Sequence, residues 1–248
     1  MSEPLRVLTW NVDGLNTTRL GARMEKICLE ILIGGDLRAA MEGRPVPPPP
    51  HVVALQEVVH VAQRGYFAKH FAAAGFSFYP EDRPGISEYW EMIAVRAPWR
   101  IVRAERAPFD YSPYSPLGRA LTRLELAHED GREITVLTAH MESLRSGHGP
   151  RLAQAAEIDA AMKGRDAVFM GDTNLRESET RELSLSLRDA FEELGRPKRA
   201  AHTWWPEESD RGFRFDRVWL SGALRATALK TRRRTKLSDH AALEATLE

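Results

Sequence analysis

Residues that could take part in catalysis recur at the ends of short apolar segments of this sequence. Carboxylates, side-chain amides and imidazoles border one such segment after another, at Asn11, Glu57, His140, Asp172, Asn174, Asp216, Asp239 and His240. Proteins of the α/β class place their sites at strand ends, where side chains from different strands can meet. If the apolar segments are strands whose ends lie together, these residues form one polar cluster at a sheet edge.

The chemistry that suits such a cluster is metal-assisted phosphoryl transfer. Mg²⁺ prefers oxygen ligands and keeps several of its waters, so one or two carboxylates and a phosphate oxygen are enough to hold it. Glu57 is the strongest single candidate for a ligand, and Asn11 and Asp239 are candidates to assist it. We therefore expect a Mg²⁺ site, with Mn²⁺ as the alternative ion.

The remaining polar residues fit the other roles of a hydrolytic reaction. An attacking water needs a carboxylate that aligns it and takes up its proton, and Asp172 could do so together with Asn174. The charge that develops on the phosphoryl group needs hydrogen-bond donors, for which His140, His240 and Asn174 are suitable. Asp216 could fix the tautomer of His240, as carboxylates paired with histidines do.

Each of these residues, taken alone, also has a purely structural explanation. An Asn after a Trp can cap a turn, and Gly-Asp-x-Asn forms an Asx turn about as often as a site. Glu57 could be a solvated strand end, and Asp239 with His240 could be a surface pair. The prediction of a site therefore depends on the joint occurrence of these residues, each at the end of an apolar segment.

The apolar segments themselves are short and rich in β-branched residues, which is typical of strands. The predicted strands are residues 5–10, 52–55, 92–95, 121–126, 134–139, 167–170, 215–220 and 241–247. Helical spacing is found at residues 19–32 and 151–162, while the proline-containing residues 43–50 and 107–117 predict surface segments. Because some strands are separated by helices and others only by turns, the pattern favours mixed sheets within a single domain of residues 1–248.

The composition restricts the partners of the chain. Its 35 basic and 35 acidic residues cancel, so any nucleic-acid binding must use a local patch. The single cysteine, Cys28, lies in a helical apolar stripe and predicts a buried filler. The N-terminus has no signal-peptide pattern, and no apolar run is long enough to span a bilayer. We expect a monomer of the cytoplasm, or of the nucleus in a eukaryote, that has no membrane partner and is not secreted.

Short blocks that carry the polar residues resemble the endonuclease/exonuclease/phosphatase superfamily. In chain order they are Thr9-Trp10-Asn11, Leu55-Gln56-Glu57, Gly171-Asp172-Thr173-Asn174, Phe215-Asp216-Arg217 and Ser238-Asp239-His240. The resemblance extends from residue 5 to residue 247. It implies a DNase I-like α/β (α+β) fold, a two-sheet α/β sandwich with outer helices. It also implies a site at the edge between the sheets that binds one or more Mg²⁺ ions.

Within the superfamily, the sequence is most similar to the catalytic domain of the tyrosyl-DNA phosphodiesterase 2 family. The similar pieces are residues 9–15, 140–145, 171–177, 194–198, 203–204 and 214–217. The resemblance assigns the catalytic and metal centre to Asn11, Glu57, Asp172, Asn174, Asp239 and His240. It assigns phosphate binding to His140, Ser143, Arg145 and Arg176. It also implies that Trp204 and Phe215 wall a groove for single-stranded DNA.

The function that this resemblance implies is the Mg²⁺-dependent hydrolysis of 5′-phosphotyrosyl bonds at DNA ends, a DNA-repair reaction. Because a neutral chain also suits a small substrate, an abasic endonuclease, an RNA deadenylase and an inositol or sphingolipid phosphodiesterase remain alternatives. A non-catalytic binding module is a third hypothesis, which the presence of every acidic and imidazole position disfavours. The arginine-rich residues 224–236 either contact the DNA backbone or form a solvated loop.

Overall fold

Two sheets of six strands each form the frame of the molecule. The structure, a computed structural model, describes residues 3–85, 87–110, 117–206 and 210–248. The strands, in chain order, are β1 (Leu5–Asn11), β2 (Val52–Val59), β3 (Phe76–Tyr79), β4 (Tyr89–Arg96), β5 (Trp99–Pro108), β6 (Ala120–His128), β7 (Glu133–Ala139), β8 (Ala167–Asp172), β9 (Arg188–Asp189), β10 (Asp216–Ser221), β11 (Ala226–Arg232) and β12 (Ala242–Leu247). The first sheet has the order β11-β12-β1-β2-β4-β3, and the second has the order β5-β6-β7-β8-β10-β9.

The α-helices of the described ranges are α1 (Leu20–Ile33), α2 (Leu37–Met41), α3 (His60–Ala62), α4 (Ala68–Ala73), α5 (His148–Met162), α6 (Glu177–Thr180) and α7 (Ala190–Glu193). Helices α1, α3 and α4 pack on the outer face of the first sheet and α5 packs on that of the second, whereas Ala190 of α7 belongs to the core between the sheets. A π-helical segment, Gln63–Phe67, joins α3 to α4. Among the helices of the described ranges, none combines the length and the apolar character needed to cross a bilayer.

The apolar core lies between the sheets because successive strand side chains point to opposite faces. In β1, Leu5 and Val7 belong to the same buried cluster as Val136 of the second sheet. Leu8 and Trp10 point the other way and pack with α1 and α4. A third cluster, between α5 and the outer face of the second sheet, completes the layers. The predicted two-sheet α/β sandwich with outer helices is therefore confirmed.

Every strand and helix predicted from the sequence is present, but four strands were missed. These are β3, β5, β9 and β11, which are the edge strands of the two sheets. An edge strand exposes one side and has no need of a continuous apolar run, and most residues of β5 are accordingly exposed or half-buried. The prediction of a loop at residues 107–117 was wrong for residues 107 and 108, which end β5, while residues 111–116 lie outside the described ranges. The alternative of a loop throughout residues 224–236 was also wrong, because β11 lies within them.

Candidate active site

The central strands of both sheets end at one edge of the sandwich. Asn11 ends β1 and is the register partner of Gln56 in the parallel strand β2, so Glu57 follows at the same edge. Asp172 ends β8 in the second sheet, where it pairs with Asp216 at the start of β10. His140, directly after β7, forms a bridge with Asp172. The arrangement of parallel strands thus delivers these polar side chains to a common edge.

Asn11 joins the two sheets at this edge. Its buried side-chain amide donates to Oε1 of Glu57 and to Oδ2 of Asp172, both at 3.1 Å. Its Oδ1 accepts a hydrogen bond from the backbone N–H of Asp13 at 3.0 Å. A single amide therefore holds a carboxylate from each sheet, which offsets part of the cost of bringing two like charges together.

Glu57 reaches the cluster through an irregularity in β2. The register between β2 and β4 shifts between Leu55 and Val58, and Glu57 has a left-handed φ of 56°. Such a bulge redirects a side chain that regular pleating would point elsewhere. Gly14 accommodates the bulge, because a Cβ at this position would lie 2.0 Å from the carbonyl oxygen of Glu57.

Asp172 ends β8 directly after a glycine that lets this strand pack closely on β7. A Cβ on Gly171 would lie 2.3 Å from the carbonyl oxygen of Ala139, so only glycine lets β8 approach β7 this closely. Oδ1 of Asp172 accepts from the backbone N–H of Asn174 at 3.0 Å, and Asn174 has a φ of 51°. The segment is therefore both an Asx turn and part of the polar cluster, so the structural and functional explanations hold together.

His240 is held between two carboxylates. Its Nδ1 lies 2.8 Å from Oδ2 of Asp216, and its Nε2 lies 3.6 Å from Oδ2 of Asp172. Burial alone would lower the pKa of His240, but Asp216 and Asp172 outweigh it and raise the pKa to about 10. The imidazole is thus positively charged at neutral pH, and its Nδ1 donates to Asp216. Ser238 fixes its position by accepting from the backbone N–H of His240 and donating to the carbonyl oxygen of Asn11.

His140 is the neutral counterpart of His240. Its Nε2 lies 3.3 Å from Oδ2 of Asp172, and its Nδ1 lies 3.7 Å from Oε1 of Glu57. Burial lowers the pKa of His140 well below its usual range, and the charges of Arg119 and His240 lower it further. The two histidines therefore present different protonation states to the same carboxylate.

Sequence reasoning missed Arg119, which lies beside His140. Nη2 of this buried arginine is 3.3 Å from Nε2 of His140, and its guanidinium lies over the ring of Tyr89 at 5.5 Å. Arg119 immediately precedes β6, and this position at a strand end is the signal that could have identified it. Of the Tyr89-Trp90 pair, Trp90 is fully buried in the core, while Tyr89 is half-buried beside the site.

Asp13, a further carboxylate that adds to the negative charge of the cluster, was not predicted from the sequence. The pKa values of Asp13, Glu57 and Asp172 are all raised, first by burial and then by neighbouring carboxylates. The charge of Asp239 raises the pKa of Asp13, and the charges of Asp13 and Asp172 raise that of Glu57. The charge of Asp216 raises the pKa of Asp172. A divalent cation would relieve this repulsion, so the donor set fits a metal ion.

The geometry alone singles out another group for a metal. Asp172, Asp216 and His240 each offer a ligand atom within 4.8 Å of the others. His240 Nδ1 is hydrogen-bonded to Asp216 within this trio, whereas its Nε2 lies 3.6 Å from Asp172. The oxygen-rich side around Glu57 is a second donor set, and its oxygen ligands are those that a hard cation such as Mg²⁺ prefers.

An aromatic wall borders His240. Trp204 forms isolated bridges with Phe213 and His240, which places its ring next to the imidazole. Its ring stacks on Phe215, with centroids 5.1 Å apart, and Phe215 stacks in turn on Phe213 at 5.6 Å. Trp204 is only half-buried, which argues against a role as a core residue, and the participation of Phe213 was not predicted.

Several predicted residues lie around the cluster and not within it. Asp239 is exposed and accepts from Nε1 of Trp204 at 2.7 Å. Ser143 and Arg145 lie on the loop after β7, and Arg176 precedes α6. Within the four described ranges, no hydrogen bond or ion pair joins the side chain of Ser143 or Arg145 to the cluster, and Arg176 contacts Glu179.

The sandwich and the site at its edge define a protein of the DNase I-like class. The sequence model of the Endonuclease/Exonuclease/phosphatase family matches residues 8–240, and the chain belongs to this family. A tyrosyl-DNA phosphodiesterase 2 from Gallus gallus is 26% identical over 238 residues, which cover 88% of this chain and 56% of that protein. A 5′-tyrosyl-DNA phosphodiesterase from Caenorhabditis elegans is 26% identical in an alignment 261 residues long, gaps included, that covers 97% of this chain and 66% of that protein.

A solved structure shares the fold over the full length of both chains. It is the crystal structure of D. rerio TDP2 complexed with single strand DNA product, with a TM-score of 0.79, 23% sequence identity and coverage of 100% of each chain. The present chain spans little more than half the length of the vertebrate relative, at 56%. Family membership, together with the donor set, indicates a divalent metal ion.

Proposed function

We propose that this chain is a Mg²⁺-dependent phosphodiesterase that hydrolyses 5′-phosphotyrosyl bonds at the ends of single-stranded DNA. The observation that carries the proposal is the environment of one atom, Oδ2 of Asp172. It lies 3.1 Å from the amide of Asn11, 3.3 Å from His140 and 3.6 Å from His240. A carboxylate surrounded by donors in this way can position an attacking water, and the same donors lie where they could also contact a phosphate. The names of the relatives support the choice of substrate.

The metal ion would be held by Glu57, with Asn11 and Asp239 assisting and Asp13 close enough to interact electrostatically with Glu57 and Asp239. When bound, Mg²⁺ would supply a Lewis acid that polarises a phosphoryl oxygen. The side-chain amide of Asn11 donates to Glu57, which keeps one carboxylate oxygen oriented while the other is available to a cation.

The side chains of the chain account for the movement of protons. Asp172 would accept a proton from the attacking water as the oxygen of that water bonds to phosphorus and the bond between phosphorus and the tyrosyl oxygen breaks. Positively charged His240, neutral His140 and the amide of Asn174 would donate to the phosphoryl oxygens. The leaving tyrosyl oxygen has an ordinary pKa of about 10, so it can depart as a phenolate and take a proton from solvent.

The residues around the cluster would select a DNA strand. Trp204 and Phe215 would form the aromatic wall of the groove: the half-buried ring of Trp204 would stack on bases without reading their sequence, and the buried ring of Phe215 supports it from behind. Ser143, Arg145 and Arg176 would hold the scissile phosphate and its neighbour, and the planar guanidinium groups suit this role. We further propose that residues 1–248 act as one catalytic domain, as a monomer, in the cytoplasm or nucleus.

Comparison of substrates tests this function. Initial rates would be measured with Mg²⁺ and with EDTA on a 5′-phosphotyrosyl single-stranded oligonucleotide, an abasic duplex, an adenosine homopolymer RNA, and inositol- and sphingolipid-derived phosphoesters. The Asp172→Asn variant, purified in parallel, controls for contaminating nucleases. We expect EDTA-sensitive release of tyrosine to be the fastest reaction. A faster reaction on any other substrate would overturn the proposed substrate, and DNA retention without turnover would indicate a binding module.

A further inference from the structure

A cavity of about 560 Å³ beside the cluster is lined by charges of both signs. Asp13 and Asp239 contribute carboxylates to it, and Arg233 and Lys236 contribute cations in addition to Arg23, which pairs with Asp13. Trp204 and Trp205 contribute aromatic surface to it. Ligand sites in proteins commonly have volumes of roughly 300–1,000 Å³, so the cavity has room for a nucleotide unit.

Two cations of the cavity, Arg233 and Lys236, differ from the other basic residues of their segment. Arg232 forms an ion pair with Glu244, and Arg234 forms one with Glu30, so both have structural partners. For Arg233 and Lys236, by contrast, no carboxylate within 4.0 Å is found in the part of the chain that the structure describes. Positive charge that is not neutralised by a carboxylate, at the wall of a cavity, is available to an anionic ligand.

Aromatic surface accompanies this charge. The guanidinium of Arg233 lies over the ring of Trp205, 4.0 Å from its centroid, which holds the side chain at the wall of the cavity. Trp204, which lines the same cavity, stacks on Phe215. Basic groups interleaved with aromatic faces are typical of single-stranded nucleic-acid sites, where phosphates meet the cations and bases stack.

We propose that Trp204, Trp205, Arg233 and Lys236, here called the basic pocket, bind a phosphodiester of the DNA strand next to the nucleotide that carries the scissile bond. Arg233 and Lys236 contact the phosphate, and a base stacks on the aromatic surface. The pocket thereby makes binding depend on the length of the strand. This inference rests on the proposed function, because it names a further part of the same substrate.

The test compares variants on substrates of increasing length. The KM for 5′-phosphotyrosyl oligonucleotides of one, three, six and ten nucleotides would be measured for the wild type, Arg233→Ala and Lys236→Ala. Arg225→Ala is the matched control, because Arg225 is an exposed arginine of the same segment that does not line the cavity. We expect Arg233→Ala to raise the KM about 5- to 10-fold for the longer substrates, with a smaller effect for the shortest. The slope of log KM against log salt should fall by about one.

A binding measurement separates this inference from the proposed reaction. The Kd of a fluorescent 5′-phosphorylated oligonucleotide of ten nucleotides requires no turnover, so it reports on the basic pocket even if the tyrosyl substrate is wrong. We expect Arg233→Ala and Lys236→Ala to weaken this binding, and Arg225→Ala to leave it unchanged. An effect independent of strand length, or equal for Arg225→Ala, would overturn the inference. The inference would also be overturned if the variants weakened binding only of substrates that carry a peptide on the tyrosine, because the basic pocket would then bind the peptide.

Discussion

Arg151 allows a quantitative test of how the two segments proposed to bind phosphate are held. This fully buried residue of α5 donates from Nε and Nη2 to both carboxylate oxygens of Glu179, at 3.0 and 2.5 Å. Its Nη1 donates to three successive carbonyl oxygens of the loop after β7, those of Glu142, Ser143 and Leu144. Glu179 in turn accepts from the backbone N–H of Arg176. One guanidinium thus ties the loop of Ser143 to the segment of Arg176.

Replacement of Arg151 by methionine should strongly destabilise the protein. Removing one partner of a buried ion pair costs about 3–5 kcal/mol, because the other charge remains buried without compensation. Three loop carbonyl oxygens would also lose their donor. For a chain of this size, about 1 kcal/mol shifts Tm by roughly 2–4 °C, so Tm should fall by roughly 6–20 °C.

Thermal unfolding followed by circular dichroism would measure this change. The double variant Arg151→Met/Glu179→Gln should be less destabilised than the sum of the two single variants, because it leaves no charge without its partner. Arg181→Met, at an exposed position of the same region, is the control and should change Tm by less than about 2 °C. A similarly small change for Arg151→Met would refute the reasoning, as would full additivity in the double variant.

Two further substitutions test the metal site and the aromatic wall. Glu57→Gln should lower Mg²⁺ affinity at least about tenfold in isothermal titration calorimetry, because a neutral amide replaces the main anionic ligand; unchanged affinity would assign the metal to other residues. Trp204→Ala should weaken binding of single-stranded DNA by about 1–3 kcal/mol per lost base stack, with less effect on hydrolysis of a small phosphodiester. Equal losses in both assays would mean that Trp204 mainly supports the fold.

Strands β1, β2, β4, β7, β8 and β10 could be predicted from the sequence because they carry mostly apolar residues. Both faces of these strands are buried, one against the other sheet and one against helices. The edge strands lack this requirement. The segment 226–232, for example, alternates exposed and buried residues and contains lysine and arginine, so its composition resembles that of a loop.

The site residues that could be predicted are those whose position next to an apolar run is visible in the sequence. Asn11, Asp172 and His240 follow or precede apolar runs, and this position is visible in the sequence. The bulge that redirects Glu57 is not visible, because nothing in the letters of β2 distinguishes a bulged strand from a regular one. Arg119 is defined by its contact with His140, 21 residues away, and one arginine among many carries no local sign of such a contact.

The proposed mechanism depends most on Asp172 acting as the base in a cluster that binds DNA independently of the reaction. The direct test is the single-turnover rate of Asp172→Asn on a 5′-phosphotyrosyl oligonucleotide, measured together with the Kd for the same strand. Because asparagine keeps the shape but cannot accept the proton of the water, the rate should fall at least about 10²-fold while the Kd changes little. A rate near that of the wild type would contradict the assignment of Asp172 and the proposed mechanism with it.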